Sequence, residues 1–174
     1  EEIRDIQQNL GLSVVYVTHG QEEALAVSDE IVVMKNAAIA QIGPPRALYD
    51  APADTFVADF IGEANLIACE IVSVTGDVAE VAVTGVRHSL PARGLKPGPA
   101  TLALRPSRIR IVEAGGLAAT VEKVTYVGPR MEYTFAGDFG QVFAVSDNVD
   151  TPYRAGDGVV IGLAASGPVL VPDA

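Results

Sequence analysis

The chain predicts a mainly β protein with an α/β part at its N-terminal end. Three observations lead there. Glycine is uneven: four of 17 lie in residues 1–62 and thirteen lie beyond, where they punctuate short apolar runs as turns do. From Asn65 onward, apolar residues alternate with polar ones at the period-two spacing of half-buried strands. Before that point, helical spacing and β-branched runs follow one another, as in an α/β unit. The pattern changes at Gly62 to Ala64, so the expected division is 1–62 and 63–174.

Taken in order, Ile3, Ile6 and Leu10 recur at helical spacing and predict an amphipathic helix over 1–10, ended by Gly11 as a C-cap. Val14, Val15, Tyr16 and Val17 form a run suited to a strand buried on both faces, as in parallel sheets. The run stops at Thr18-His19-Gly20. One imidazole therefore sits at the carboxyl end of the strand, the edge where open α/β sheets bind ligands. Gly20 is placed to be an N-cap, with Glu23 at N3 and Ala24 and Leu25 on the apolar side of the helix that follows. Two strands, Ile31 to Met34 and Ala38 to Ile42, flank a tight turn that needs positive φ. Asn36 supplies that readily; Ala37 beside it carries mild strain. Pro45 opens a short helix through Asp50. Asp54 caps another over 55–61 with Phe56, Val57, Phe60 and Ile61 on its apolar face, and Gly62 ends it.

The β part repeats itself. Ile67-Ala-Cys-Glu-Ile71-Val-Ser-Val74 aligns with Leu117-Ala-Ala-Thr-Val121-Glu-Lys-Val124 at an offset of 50. Lys96 to Leu102 aligns with Arg154 to Val160 at an offset of 58. Two similar units, roughly 64–113 and 115–173, are expected to form tandem small barrels of the oligonucleotide/oligosaccharide-binding (OB) type.

Composition narrows the function classes. Hydrophobic residues make up 49% and charged residues 20%, a globular balance. The net charge of −10 makes nucleic acid and anionic membrane surfaces poor partners. A single cysteine, Cys69, leaves no internal disulfide and fits a reducing compartment. No apolar run approaches the roughly 20 residues that span a bilayer. The chain opens at Glu1-Glu2 without Met, inside a helical pattern, and is expected to be a fragment.

The run Tyr16-Val-Thr-His-Gly-Gln-Glu-Glu-Ala-Leu-Ala-Val-Ser-Asp-Glu-Ile-Val-Val-Met34 resembles the switch-histidine segment of ABC-transporter ATPases. It is most similar to importer subunits for maltose, spermidine/putrescine and ferric iron. The resemblance continues through Gln41-Ile-Gly-Pro-Pro-Arg-Ala-Leu-Tyr-Asp-Ala-Pro52 and Phe56-Val-Ala-Asp-Phe-Ile-Gly-Glu-Ala-Asn65. The stretch beyond Asn65 resembles the TOBE regulatory domain of these subunits. The resemblance implies that 1–62 is the end of the nucleotide-binding domain and 63–174 the TOBE-type domain. It implies that His19 contacts the γ-phosphate of ATP and holds the attacking water and catalytic carboxylate in register. A neutral imidazole suits that role, since one nitrogen donates while the other accepts. It implies ATP and Mg²⁺ in the intact subunit, a homodimer of ATPase subunits, membrane-spanning permease subunits and, indirectly, a solute-binding protein. The place implied is the cytoplasmic face of the cell membrane. Ala-Val-Ser-Asp and Phe-Ile-Gly-Glu-Ala-Asn favour polyamine or ferric iron over sugars as the solute.

The family usually has Asp where this chain has Gly20, and usually Gly in the hairpin turn at Asn36-Ala37. Phosphoryl transfer needs a phosphate loop with its Lys and a carboxylate for Mg²⁺. No such loop, no Leu-Ser-Gly-Gly-Gln signature and no strand ending in Asp-Glu occur in the 174 residues. The chain alone is therefore expected neither to hydrolyse ATP nor to bind a cofactor. The rival reading is a stand-alone binding protein whose barrels hold a small oxyanion such as molybdate.

Other residues have plainer readings. Glu22 and Glu23 point about 100° apart on a helix and form a solvated first turn. By resemblance, that turn lies near the surface receiving the permease's coupling helix. Arg105, Arg108 and Arg110 form a basic cluster read as a solvated face, since Arg108 and Arg110 alternate with Ile109 and Ile111; aromatic content is too low for the nucleic-acid reading, which needs base stacking. Cys69 is a small buried hydrophobe, and His88 near a turn has no metal-ligand spacing. No metal site is expected.

Overall fold

The computed structural model describes residues 2–150, 152–164 and 167–172. Glu1 and Asp173, the outer ends of the predicted first helix and second β unit, lie outside the described residues. Helix α1 (Glu2–Leu10) is followed by α2 (Gln21–Val27), the hairpin β1 (Ile31–Lys35) and β2 (Ala38–Gly43), α3 (Pro45–Asp50) and α4 (Thr55–Phe60). Among the described residues ten further strands follow: β3 (Asn65–Thr75), β4 (Val78–Val83), β5 (Val86–Pro91), β6 (Gly98–Leu104), β7 (Ile109–Val112), β8 (Leu117–Tyr126), β9 (Met131–Gly137), β10 (Gly140–Ser146), β11 (Gly158–Leu163) and β12 (Val169–Val171). The expected class is observed: mainly β, with α-helices confined to the N-terminal part.

The local chemistry follows the residues. The β1–β2 turn holds Asn36 at φ 50° and Ala37 at φ 63°, the two positive values a two-residue hairpin loop requires. For Ala37 that conformation sets Cβ against the backbone. Asp54 caps α4, its Oδ1 accepting the Val57 N–H at 2.8 Å. Ile31, Val33, Leu48, Val57 and Ile61 pack into a small core beneath the hairpin and helices.

The β strands form two five-stranded sheets, β12-β6-β3-β4-β5 and β10-β9-β8-β11-β7. Each curls until its edge strands meet, β12 against β5 and β10 against β7. The inner residues of both sheets, among them Ile67, Val81, Leu102, Leu117, Phe135 and Ile161, belong to one continuous core.

The internal repeat is real, and its fifth strands are exchanged. Strands β3, β4, β5 and β6 correspond in order to β8, β9, β10 and β11. Strand β3 carries a bulge at Val72 and β8 one at Glu122. The outer position beside β6 is taken by β12 from the far end of the chain, and the one beside β11 by β7. Units 64–113 and 115–173 are therefore not self-contained: each completes its sheet with a strand from the other. The ladder also places Leu102 opposite Ile67 and Ile161 opposite Leu117, one residue further than the aligned second block.

The two β units are also tied by Asn65. Its Nδ2 donates to the Phe143 carbonyl at 2.8 Å and its Oδ1 accepts the Phe143 N–H at 2.7 Å. A side-chain amide thus imitates a ladder pair between β3 and β10.

One expectation fails. Val14 to Val17 is no strand: residues 12–18 run without sheet partners, and Val15 and Val17 are 92% and 90% exposed. A central strand takes ladder bonds from both sides, and no strand among the described residues lies beside this one. Strands β1 and β2 pair only with each other.

Candidate functional site

The apex at His19 is built by an arch that leaves α1 and returns to α2. At its start, the Leu12 N–H donates to the Gln7 carbonyl at 3.1 Å, and Gln7 Nε2 donates to the Leu12 carbonyl at 2.8 Å. Arg4 fastens α1 from the other side, reaching the Val27 carbonyl at 2.7 Å and Asp29 Oδ1 at 2.8 Å. At its end, the Gly20 N–H donates to Thr18 Oγ1 at 2.9 Å. Gly20 is the N-cap of α2, as expected, with extended φ −81° and ψ 106°.

Glu23 does more than fill a solvated turn. Its Oε2 accepts hydrogen bonds from Thr18 Oγ1 at 2.9 Å and Tyr16 OH at 3.0 Å. These bonds, Thr18 first and Tyr16 second, hold the Glu23 carboxyl below the usual carboxylate range. The signal was in the spacing: residues two apart in an extended run point to the same side, so both hydroxyls face the helix. Glu22 makes no part of this and is exposed.

His19 itself is exposed between these anchored neighbours. It lines a broad open cleft of about 740 Å³ that runs under the arch, with Arg4, Gln7, Val33 and Phe60 on the other walls. The apolar side of α1 (Ile3, Ile6, Leu10) and the outer face of the hairpin (Val32, Met34, Ile39, Ile42) are exposed as well.

Elsewhere the sequence readings divide. Arg108 and Arg110 are exposed, as expected. Arg105 is not: it is 5% exposed, its guanidinium 4.1 Å over the Tyr49 ring, donating to the Ala58 and Tyr49 carbonyls at 2.8 Å each. Burial pulls its pKa down, and two carbonyls with an aromatic face replace the lost water. Cys69 is half-buried, and burial with Glu70 nearby pushes its thiol up to about 11, so it stays protonated and unreactive. His88 lies in β5 with its Nε2 buried and unpaired, and burial lowers its pKa. Among the described residues no group of His, Cys, Asp and Glu is placed to hold a metal ion. None of their helices is long and apolar enough to cross a membrane. A smaller hollow of about 160 Å³ opens in the second sheet beside Tyr133 and Tyr153. Arg110 lines it, with Nη1 already committed to the Ser107 and Ile109 carbonyls.

Comparison with known proteins agrees with this architecture. Residues 102–171 match the TOBE domain family. The Fe(3+) ions import ATP-binding protein FbpC of Rhizobium etli is 48% identical over 172 residues, covering 98% of this chain and 49% of that protein. FbpC of Brucella abortus (strain 2308) is 48% identical over 151 residues, 86% of this chain and 43% of that protein. The spermidine/putrescine import ATP-binding protein PotA of Ruegeria pomeroyi is 36% identical over 173 residues, 97% and 47% respectively. The chain thus spans about half the length of the curated relatives it matches. Among solved structures, the cytoplasmic molybdate-binding protein ModG with molybdate bound superposes with a TM-score of 0.51 and 16% identity, over 62% of this chain and 96% of that one. That likeness shows the fold alone. With helices, hairpin and TOBE domain in one continuous match, the chain belongs to the family of ATP-binding subunits of ABC importers and corresponds to their C-terminal part.

Proposed function

We propose that this chain supplies the switch-histidine segment and the regulatory domain of an ATP-hydrolysing import subunit, with the division between them near Gly62. The observation that carries the reading is continuity: one alignment to a ferric-iron import subunit, 48% identical overall, spans 98% of the chain and so takes in the apex and the β region together. A stand-alone oxyanion binder gives no reason for the apex.

In this reading His19 meets the γ-phosphate of ATP. ATP, with Mg²⁺, supplies the phosphoryl group whose hydrolysis powers import. The chain fits one contact to that group and no more: it offers an exposed imidazole on an anchored apex, and it contains no phosphate loop. The nucleotide's other contacts then belong to the rest of a longer subunit, working as a dimer on permease subunits at the cytoplasmic face of the membrane. Ferric iron is the favoured solute, because the ferric-iron subunits share more identity with this chain than the polyamine subunit does.

The test is His19→Ala in a full-length subunit carrying this segment. ATP binding is expected to persist while turnover falls by about a hundredfold or more, as loss of a positioned transition-state group produces. Turnover near that of the parent would remove the switch role. Uptake of labelled ferric iron and of spermidine by the assembled importer separates the two solutes.

A further inference from the structure

The arch presents a physical problem. Residues 12–18 have no sheet partners, so nothing in a ladder fixes the direction in which His19 points. Gly20 contributes no side-chain cap to α2. Yet the residues on either side of His19 are held. Thr18 Oγ1 sits at a junction, accepting the Gly20 N–H at 2.9 Å and donating to Glu23 Oε2 at 2.9 Å. Tyr16 OH donates to the same carboxylate oxygen at 3.0 Å. Hydrogen bonds to an ionised acceptor are the stronger kind. One carboxylate therefore anchors the chain before the imidazole directly, and the chain after it through one hydroxyl.

Gly20 makes room for this closure. A Cβ placed there would lie 3.1 Å from both Cδ and Oε2 of Glu23, and 3.3 Å from Thr18 Oγ1. A carboxylate at position 20 would add like-charge repulsion to that crowding. The open space at Gly20 and the inward fold of Glu23 are thus two sides of one arrangement.

We propose that Glu23 is a positioning residue for His19, acting through Thr18 and Tyr16, and that Gly20 leaves the space into which Glu23 folds. The proposal rests on the reading of His19 as the residue that meets the γ-phosphate. Glu23 does not itself touch nucleotide. It narrows the range of directions His19 samples, so its loss lowers turnover without weakening ATP binding.

Two experiments test it, and they fail separately. The first is ¹⁵N relaxation of Thr18, His19 and Gly20 in this chain. Glu23→Ala should raise fast backbone motion at all three, while Tyr16→Phe and Glu23→Gln, which keeps an acceptor oxygen but not its charge, should each raise it less. Unchanged order in Glu23→Ala overturns the proposal whatever His19 does. The second is steady-state ATP hydrolysis by the full-length subunit. Glu23→Ala should lower kcat about tenfold, less than the roughly hundredfold that a misplacement of about 1 Å can cost, with the KM for ATP within about twofold and activity partly restored by Glu23→Gln. With Asp at position 20, Glu23→Ala should cost much less, because the closure is already open. Equal costs in the two backgrounds overturn the role of Gly20. If Glu23→Ala loosens the apex while His19→Ala leaves turnover intact, the tether stands and the switch-histidine reading falls.

Discussion

The β region and the N-terminal part handle apolar surface in opposite ways. In the β region the inward residues of two curled sheets meet in one core, with Leu102, Ile161, Val81 and Val83 fully buried. In the N-terminal part α1 buries nothing, and Val15 and Val17 stand almost fully exposed. Both regions are comparably rich in Val and Ile, so composition does not separate them. What separates them is whether the partners of a strand lie in the same segment. Strand β3 finds β4 and β6 within the chain; Val14 to Val17 finds none. Burying a Val, Ile or Leu is worth about 1.5–3 kcal/mol. The first region collects that gain along every sheet, whereas the second collects it only in the small core under the hairpin and not at α1 or the arch.

The hardest way to break this contrast is to separate the regions. Residues 63–174 expressed alone should unfold cooperatively in urea, and residues 1–62 alone should show no cooperative transition. An unfolded 63–174 would mean that its sheets depend on α4, whose Ala58 packs against Ala64, Ala103 and Val171.

That seam gives the next largest effect. Arg105→Met should destabilise the whole chain by about 2–4 kcal/mol, since it strands two carbonyls in a buried place. Denaturation followed by Tyr fluorescence would check it. Splitting of one transition into two would show that Arg105 is what makes helices and sheets unfold together.

Asn65→Ala tests the bond between the two sheets. Losing both hydrogen bonds to Phe143 should cost about 1–3 kcal/mol, read as a shift in urea midpoint at constant m-value. The smallest effect runs the other way. Ala37→Gly should stabilise the hairpin by about 0.5–1 kcal/mol, because Gly accepts the positive φ that Ala resists. Thermal melting would detect it, and no gain would mean that Ala37 relaxes out of the turn.

Much of the β region was legible because its bulges leave a mark in the spacing. Inward residues fall at 67, 69, 71 and then 74, and at 117, 119, 121 and then 124. The step of three is the extra residue of each bulge, and the repeat at offset 50 records it twice. The fifth strands were not legible, because Ile109 to Val112 and Val169 to Val171 suit either sheet equally and nothing local says which edge is free. Arg105 was misread for a related reason. It stands just after β6, and the return of α3 and α4 across that end converts a surface cation into a buried one. At the apex, the imidazole and the cap were legible from the residues, while the inward fold of Glu23 depends on space left by a glycine. For Val14 to Val17 the pattern described a strand whose neighbours this stretch does not contain.

The exchange of β7 and β12 also sets a timetable. A ribosome adds roughly 5–20 residues per second, and β12 emerges long after the β6 edge it pairs with. For several seconds of each synthesis, on the order of the time needed to add the intervening residues, β6 presents bare N–H and C=O groups on one side. The sheet that starts first therefore finishes last, and nascent chains on one polysome pass through a stage in which neighbouring copies offer each other the same open edge.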